Sequence, residues 1–451
     1  MACMIPTGFR ALPLSITQLS LAAVLQCGQS FRWNVFPLFS DGAFQDNLFP
    51  THEYRLCLRD RVVCLRQTPD ILFYRSVLPG PPPLPSEDVL REQETLAWLR
   101  DYFQLDVDLI ELYEQWGKRD PVFRNCRERF AGIRMLRQEP FENLISFICS
   151  SNNNIVRITK MVKTLCKHYS PALLSLPPPT DAECSSASDA SLEVESYHPF
   201  PPPSILAASD ISATLRTLGF GYRAEFVQKT AKMLVDAHAS EQLGHASLEP
   251  AEKWLCTLRQ MSTSEAREEL LKFMGVGRKV ADCVLLMSLD KKEVIPVDTH
   301  VHQIAVKHYG ISSSSKAKGN MTSKLYDEVS SKLAAVWGDY AGWAHSVLFT
   351  SDLKAFASYG LPSPSQSPSV KERTPKKSCR SEIVSGLATP PATPTPQSSS
   401  SKRKRAIIKA SSKDGELDLL PSVNDGLNMA DRVKRRRRAA VTKAAEISVV
   451  A

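Results

Sequence analysis

Two residues 19 positions apart carry groups suited to covalent chemistry: Lys279 an amine, Asp298 a carboxylate. A neutral amine can attack an electron-poor carbon and form an imine, and a nearby carboxylate can stabilise positive charge as a bond breaks. Lys279 lies in Leu270-Leu271-Lys272-Phe273-Met274-Gly275-Val276-Gly277-Arg278-Lys279. That stretch reads as a helix, a tight Gly-Val-Gly turn and a second helix. Gly275 and Gly277 permit a positive φ and a close backbone approach. Amides at the start of the second helix can grip a phosphate. Asp298, within Pro296-Val297-Asp298-Thr299-His300, is placed to begin a helix carrying Val301, Ile304 and Ala305. Alone, Lys279 reads as a solvated lysine and Asp298 as a plain helix cap. Together with the turn they read as one reactive centre.

The elements that must hold this pair come in two kinds. Tyr54, Leu56 and Leu58 alternate with Arg55, Cys57 and Arg59, and Val62-Val63-Cys64-Leu65 resumes the extended pattern. This predicts a hairpin of half-buried antiparallel strands, with a further strand at Phe31-Arg32-Trp33. Pro79-Gly80-Pro81-Pro82-Pro83 is a connector. From Ser86 to about Phe356 helical spacing dominates, beginning with Val89, Leu90, Leu96, Leu99 and Phe103. The fold class is α+β. An antiparallel β/α domain is expected over 1–130 and a mostly helical domain over 131–358, with a flexible insertion at about 176–203. A disordered basic tail is expected over 359–451.

The 451 residues suffice for a real core, and no apolar run is long enough to span a membrane. The net charge of +8 is unevenly placed. The tail holds 18 Lys+Arg against 8 Asp+Glu, so the body is close to neutral, with a slight acidic excess. Nucleic-acid binding by the body must therefore be argued from placed residues. Lys402-Arg403-Lys404-Arg405 and Lys434-Arg435-Arg436-Arg437-Arg438 suit a nuclear-import receptor. Arg10 is the one basic side chain among the first 30 residues, which gives little support to an arginine-rich mitochondrial presequence. Eleven scattered cysteines without a CxxC pair suit reduced thiols. The expected location is the nucleus, with an additional mitochondrial pool left open.

The chain resembles the eukaryotic 8-oxoguanine DNA glycosylases of the helix-hairpin-helix superfamily. The resemblance is carried by Gly28-Gln29-Ser30-Phe31-Arg32-Trp33, Asp101-Tyr102-Phe103-Gln104-Leu105-Asp106, Ser146–Asn154, Leu218–Ala224, the hairpin, Pro296–His300 and Tyr340–Ala344. It implies a bifunctional glycosylase and lyase that acts as a monomer on duplex DNA containing oxidised purine, with no cofactor and no metal. The four-cysteine iron–sulfur pattern of related branches is absent, since no cysteine lies between Cys283 and Cys379. By resemblance Lys279 attacks the sugar and Asp298 stabilises the developing charge. The Gly28 carbonyl senses the lesion's N7–H, and Cys283 and Phe349 sandwich the base. Asn152 fills the vacated stack, Tyr222 wedges the helix, and Arg157 and Arg223 read the orphaned cytosine. His300 lies near a phosphate, oriented by Asp352.

Two positions depart from the family. Met274 stands where proline is usual, which is expected to loosen the turn. His345 stands where glutamine commonly faces the base, so a broader purine-lesion spectrum is an alternative. An unperturbed imidazole titrates near pH ~6.5, so lesion binding is expected to weaken on acidification. A non-catalytic DNA-binding protein that keeps the hairpin is the alternative of a different class.

Overall fold

The computed structural model describes residues 5–38, 49–81, 85–179, 194–238, 248–311 and 321–361. The expected disordered tail falls almost wholly outside them. Five strands, β1 (Arg10–Pro13), β2 (Asn34–Pro37), β3 (His52–Cys57), β4 (Val62–Gln67) and β5 (Ile71–Val77), form one antiparallel sheet in the order β1-β5-β4-β3-β2. The predicted hairpin is β3–β4, with Tyr54 opposite Leu65 and Leu56 opposite Val63. Its strands are not half-buried. Tyr54, Leu56, Val63 and Leu65 cluster with Leu99, Tyr102 and Phe103 of the long helix Pro85–Tyr102 and its end. The opposite face is covered as well, Cys57 and Cys64 packing with Phe9, Phe73 and Tyr197. There Glu53, fully buried, accepts from Arg55 Nε at 2.6 Å and Arg66 Nε at 2.7 Å. Alternating polarity thus marked a buried ion network where solvent was expected.

Phe31-Arg32-Trp33 precedes the strand expected there, which begins at Asn34. Arg32 turns instead to Glu142, donating at 2.8 and 2.7 Å. The insertion is ordered at both ends. Leu174–Leu176 pairs with Glu195–Tyr197, and Tyr197 is buried against the sheet. Strands of three residues are too short to show a period, which is why the sequence read as loop. Residues 180–193 lie outside the described set.

The main core is helical and takes in Leu144, Ile148, Val227, Val284, Val301 and Trp343. It also includes Trp116 and Phe123 from the helices Leu109–Arg119 and Pro121–Cys126. Asp120 caps the second of these helices and binds Tyr309 and Trp337 through Oδ2 at 2.7 and 2.9 Å. No helix among the described residues is long and apolar enough to cross a membrane.

Candidate active site

The hairpin forms as its sequence suggests. Helix Thr263–Leu271 opens on a reciprocal cap between Ser262 and Glu265, and helix Arg278–Ser288 follows the turn. Gly275 has φ +80°, and a Cβ there would lie 2.6 Å from Phe226. The Met274 carbonyl in the turn accepts from Thr230 Oγ1 at 2.9 Å. Gly277 does not need a positive φ: it is extended at φ −97°, ψ 178°, with nothing near its missing Cβ. The helix that follows opens with no side-chain cap, so its first amides can donate to a ligand's oxygen.

Lys279 sits in the first turn of that helix. Its Nζ lies 3.1 Å from Ser150 Oγ and 4.9 Å above the Phe147 ring. Cys283, one turn later, is fully buried, and burial pushes its thiol up to about 11 against the opposing pull of Lys279. It stays neutral and packs with the helical core. Asp298 caps helix Thr299–His308 through Val301 N–H at 2.9 Å.

His345, on helix Ala341–Asp352, is buried at 7% exposure. Burial drives its imidazole down to about 4, against the attraction of Asp298 and the weaker pull of the Gly342 carbonyl, with Lys279 adding to the depression. Neither ring nitrogen has a well-formed hydrogen bond, although the Gly342 carbonyl is near enough to favour the proton. Burial thus favours the neutral imidazole and opposes its charging on acidification. Phe349, one turn on, lies 6.0 Å from His345 and edge-on to His300 at 5.9 Å. His300 Nδ1 is 3.7 Å from Asp352 Oδ2. Lys279 touches Cys283, His345 and His300 both meet the Phe349 ring, and the Asp298 carboxylate is close enough to act electrostatically on Cys283 and His345.

Gly28 has φ +91°, and a Cβ there would lie 2.7 Å from Ile155 Cδ1. The next residue is clamped: Gln29 donates to the Arg134 carbonyl, accepts from Leu136 N–H and receives Gln138 Nε2 on its own carbonyl, all at 2.8–3.1 Å.

The asparagine triplet divides its labour. Asn154 caps helix Ile155–Tyr169 through Arg157 N–H, and Asn153 Nδ2 donates to the Cys149 carbonyl at 2.9 Å. Asn152, at φ +49°, is exposed, and its side chain has no partner among the described residues. The Ser151 carbonyl beside it accepts from Tyr222 Oη at 3.0 Å and Arg223 Nε at 3.1 Å, and Arg223 Nη2 reaches the Asn152 carbonyl at 3.0 Å. Tyr222 is 48% exposed and Arg223 only 3%. Arg157 is exposed, with one contact to the Gly219 carbonyl at 3.2 Å. Of the two arginines expected to read a base, Arg157 is free to reach outward, whereas Arg223 holds the Asn152 turn.

Sequence reasoning missed Ser150, Asp282, Arg267 and Tyr326. Asp282, 1% exposed, receives Arg267 Nε and Tyr326 Oη, each at 2.7 Å. An aspartate set within the apolar run Val280–Leu286, three residues after Lys279, was the available signal; Tyr326 looked like an ordinary core residue of an amphipathic helix.

Comparison with known proteins shows which family the sequence resembles. Residues 11–144 match the model for the 8-oxoguanine DNA glycosylase N-terminal domain, and 145–329 that of the HhH-GPD superfamily of base excision DNA repair proteins. An N-glycosylase/DNA lyase of Saccharomyces cerevisiae is 34% identical over 360 residues, covering 76% of this chain and 86% of the relative. An N-glycosylase/DNA lyase of Arabidopsis thaliana is 35% identical over 350 residues, covering 76% and 80%. The solved structure of Clostridium acetobutylicum 8-oxoguanine glycosylase/lyase with double-stranded DNA containing cytosine opposite 8-oxoguanine superposes with a TM-score of 0.53. It is 25% identical and covers 74% of this chain and 91% of that one.

Proposed function

The chain belongs to the 8-oxoguanine N-glycosylase/DNA lyase family of the helix-hairpin-helix superfamily, and from that premise we propose that it removes 8-oxoguanine paired with cytosine from duplex DNA through an imine on Lys279, then nicks the strand by β-elimination. The observation that carries the reading is Lys279 against Cys283 at the start of the uncapped hairpin helix, with Asp298 acting electrostatically on Cys283 and on His345, which meets Phe349.

A base inside a duplex must be flipped out before its sugar can be reached. The exposed Tyr222 is the wedge, and the unpartnered Asn152 side chain fills the gap. Arg157 reads the orphaned cytosine, and the hairpin amides with His300 hold the backbone. The flipped base lies between Phe349 and the neutral Cys283 thiol, its N7–H donating to the Gly28 carbonyl. Normal guanine has an acceptor at N7 and is repelled.

The neutral Lys279 amine then bonds to C1′. The C1′–N9 pair leaves with the base, which takes up a proton. Asp298 stabilises the positive charge that develops on the sugar. Opening of the sugar ring yields the imine, whose electron demand acidifies the C2′ proton. Loss of that proton expels the 3′ phosphate and cuts the strand. His345, neutral and without a well-formed hydrogen bond, offers one donor and one acceptor to the base edge. That observation favours a second reading, a purine-lesion spectrum broader than 8-oxoguanine. The protein acts as a monomer, and the basic tail directs nuclear import.

The test is excision from duplexes with 8-oxoguanine opposite each of the four bases, with borohydride trapping in parallel. Excision strongest opposite cytosine, with a covalent trapped species, is the expected result. Excision without trapping removes the imine; trapping with no preference among opposite bases removes the cytosine reading.

A further inference from the structure

Lys279 and Asp298 stand on different helices, and no hydrogen bond joins them among the described residues. Their spacing must be set by something that touches both elements. Tyr326, on helix Ser323–Trp337 and 4% exposed, does so with one atom. Its hydroxyl accepts from the N–H of Val297, the residue before Asp298, at 3.0 Å. The same hydroxyl donates to Asp282 Oδ2 at 2.7 Å, three residues beyond Lys279 on the same helix. Asp282 is held from the other side by Arg267 Nε at 2.7 Å.

The neighbouring contacts converge on the same turn. The Arg278 guanidinium, adjacent to Lys279, lies 4.6 Å over the Tyr326 ring and pairs with Asp327 at 2.5 Å. Burial and the Asp282 carboxylate keep the Tyr326 hydroxyl protonated, so it has one proton to give and lone pairs to accept. Val297 N–H and Asp282 are both buried, so each needs its partner.

We propose that Tyr326 is a positioning residue for the reaction: its hydroxyl, bridging Val297 N–H and Asp282, fixes the Asp298 carboxylate relative to the Lys279 amine. This rests on the lysine–aspartate chemistry proposed above. It adds a residue that touches neither DNA nor the reacting atoms. A carboxylate displaced by about 1 Å loses roughly 10²-fold in rate even when binding is intact.

Tyr326→Phe keeps the ring, its packing and its contact with Arg278, and removes only the bridge. The measurement is single-turnover excision of 8-oxoguanine by the full chain, read as rate constant and end point separately, beside duplex affinity. The expected result is a rate constant lowered roughly 10- to 100-fold, with a full end point and affinity within about twofold of wild type. A lowered end point at an unchanged rate constant marks partial unfolding and overturns the proposal. So does a wild-type rate.

A second measurement places Tyr326→Phe in an Asp298→Asn background, followed over hours. If Tyr326 acts through Asp298, the double variant is no more than about twofold slower than Asp298→Asn. Two independent, multiplying losses overturn the proposal. A wild-type chain that excises nothing sinks the functional reading and this inference with it; an active wild type matched by Tyr326→Phe sinks this inference alone.

Discussion

Lys279 Nζ lies 3.1 Å from Ser150 Oγ. The hydroxyl is itself tied to the Phe147 carbonyl at 2.7 Å. With its own proton given to that carbonyl, the hydroxyl accepts an N–H from Lys279, ammonium or neutral amine alike, so it guides the side chain in either state. Lys279→Gln keeps length and polarity but has no nucleophilic amine. Duplex binding should stay within a few-fold of wild type, while excision should fall by roughly 10³-fold or more and borohydride trapping should vanish. Full trapping by the variant would assign the nucleophile to another amine.

Gly28 meets two constraints at once. Its φ of +91° disfavours any side chain, and Ile155 Cδ1 occupies the space a Cβ would take. Gly28→Ala should cost about 1–2 kcal/mol from backbone strain, plus the clash. It should also weaken discrimination between 8-oxoguanine and guanine, because the carbonyl moves. Adding Ile155→Ala should recover the steric part and leave the backbone part. Denaturant melts and paired excision assays separate the two; a Gly28→Ala protein as stable and selective as wild type refutes both arguments.

What was legible in the sequence follows from chain distance. The hairpin, Lys279, Asp298 and the asparagine triplet are local patterns, and helix starts and turns are set by residues within a few positions. Phe349 and His345 were found by resemblance and are joined one turn apart on one helix. The Tyr326–Asp282 bridge spans 44 residues and has no local signature. The burial of Arg223 was equally hidden, because it depends on which way a tight turn presents its carbonyls. Short strands such as Glu195–Tyr197 owe their order to tertiary packing, which periodicity does not register.

Arg157 and Arg223 should therefore separate on mutation. Arg157→Ala should lose opposite-base preference, by about 1–3 kcal/mol of discrimination if its contact is bidentate, while excision opposite other bases stays near wild type. Arg223→Ala removes donors from the Ser151 and Asn152 carbonyls and should lower excision opposite every base. The four-base assay distinguishes them. A pure preference change in Arg223→Ala would return that residue to base reading.

A chain ending at Leu361 should retain excision on short duplexes at low salt, because every residue placed at the site precedes it. Loss of the Lys/Arg-rich segment should weaken non-specific binding and flatten its salt dependence, since fewer counterions are released. A folded, truncated chain without excision activity would give the tail a part in the chemistry.

His345 makes the sharpest pH prediction. Its imidazole goes from 6.5 in the unfolded chain to about 4 in the folded one, because burial disfavours the charge more than Asp298 favours it. Lesion binding should therefore show the same pH dependence in wild type and His345→Gln between about pH 5.5 and 8, since the folded imidazole is neutral throughout. Stability should not. Between pH 6.5 and 4 the unfolded chain binds a proton here that the folded chain refuses, so stability falls as pH falls. Above pH 6.5 the contribution is complete; it is lost progressively down to about pH 4 and amounts to about 3 kcal/mol at most. Glutamine carries no such proton. Urea melts at pH 7, 5 and 4 should show the wild type losing stability relative to His345→Gln by up to that amount. Parallel stability curves would mean that the imidazole reaches solvent in the folded protein, and the buried, neutral reader of the base edge would have to be abandoned.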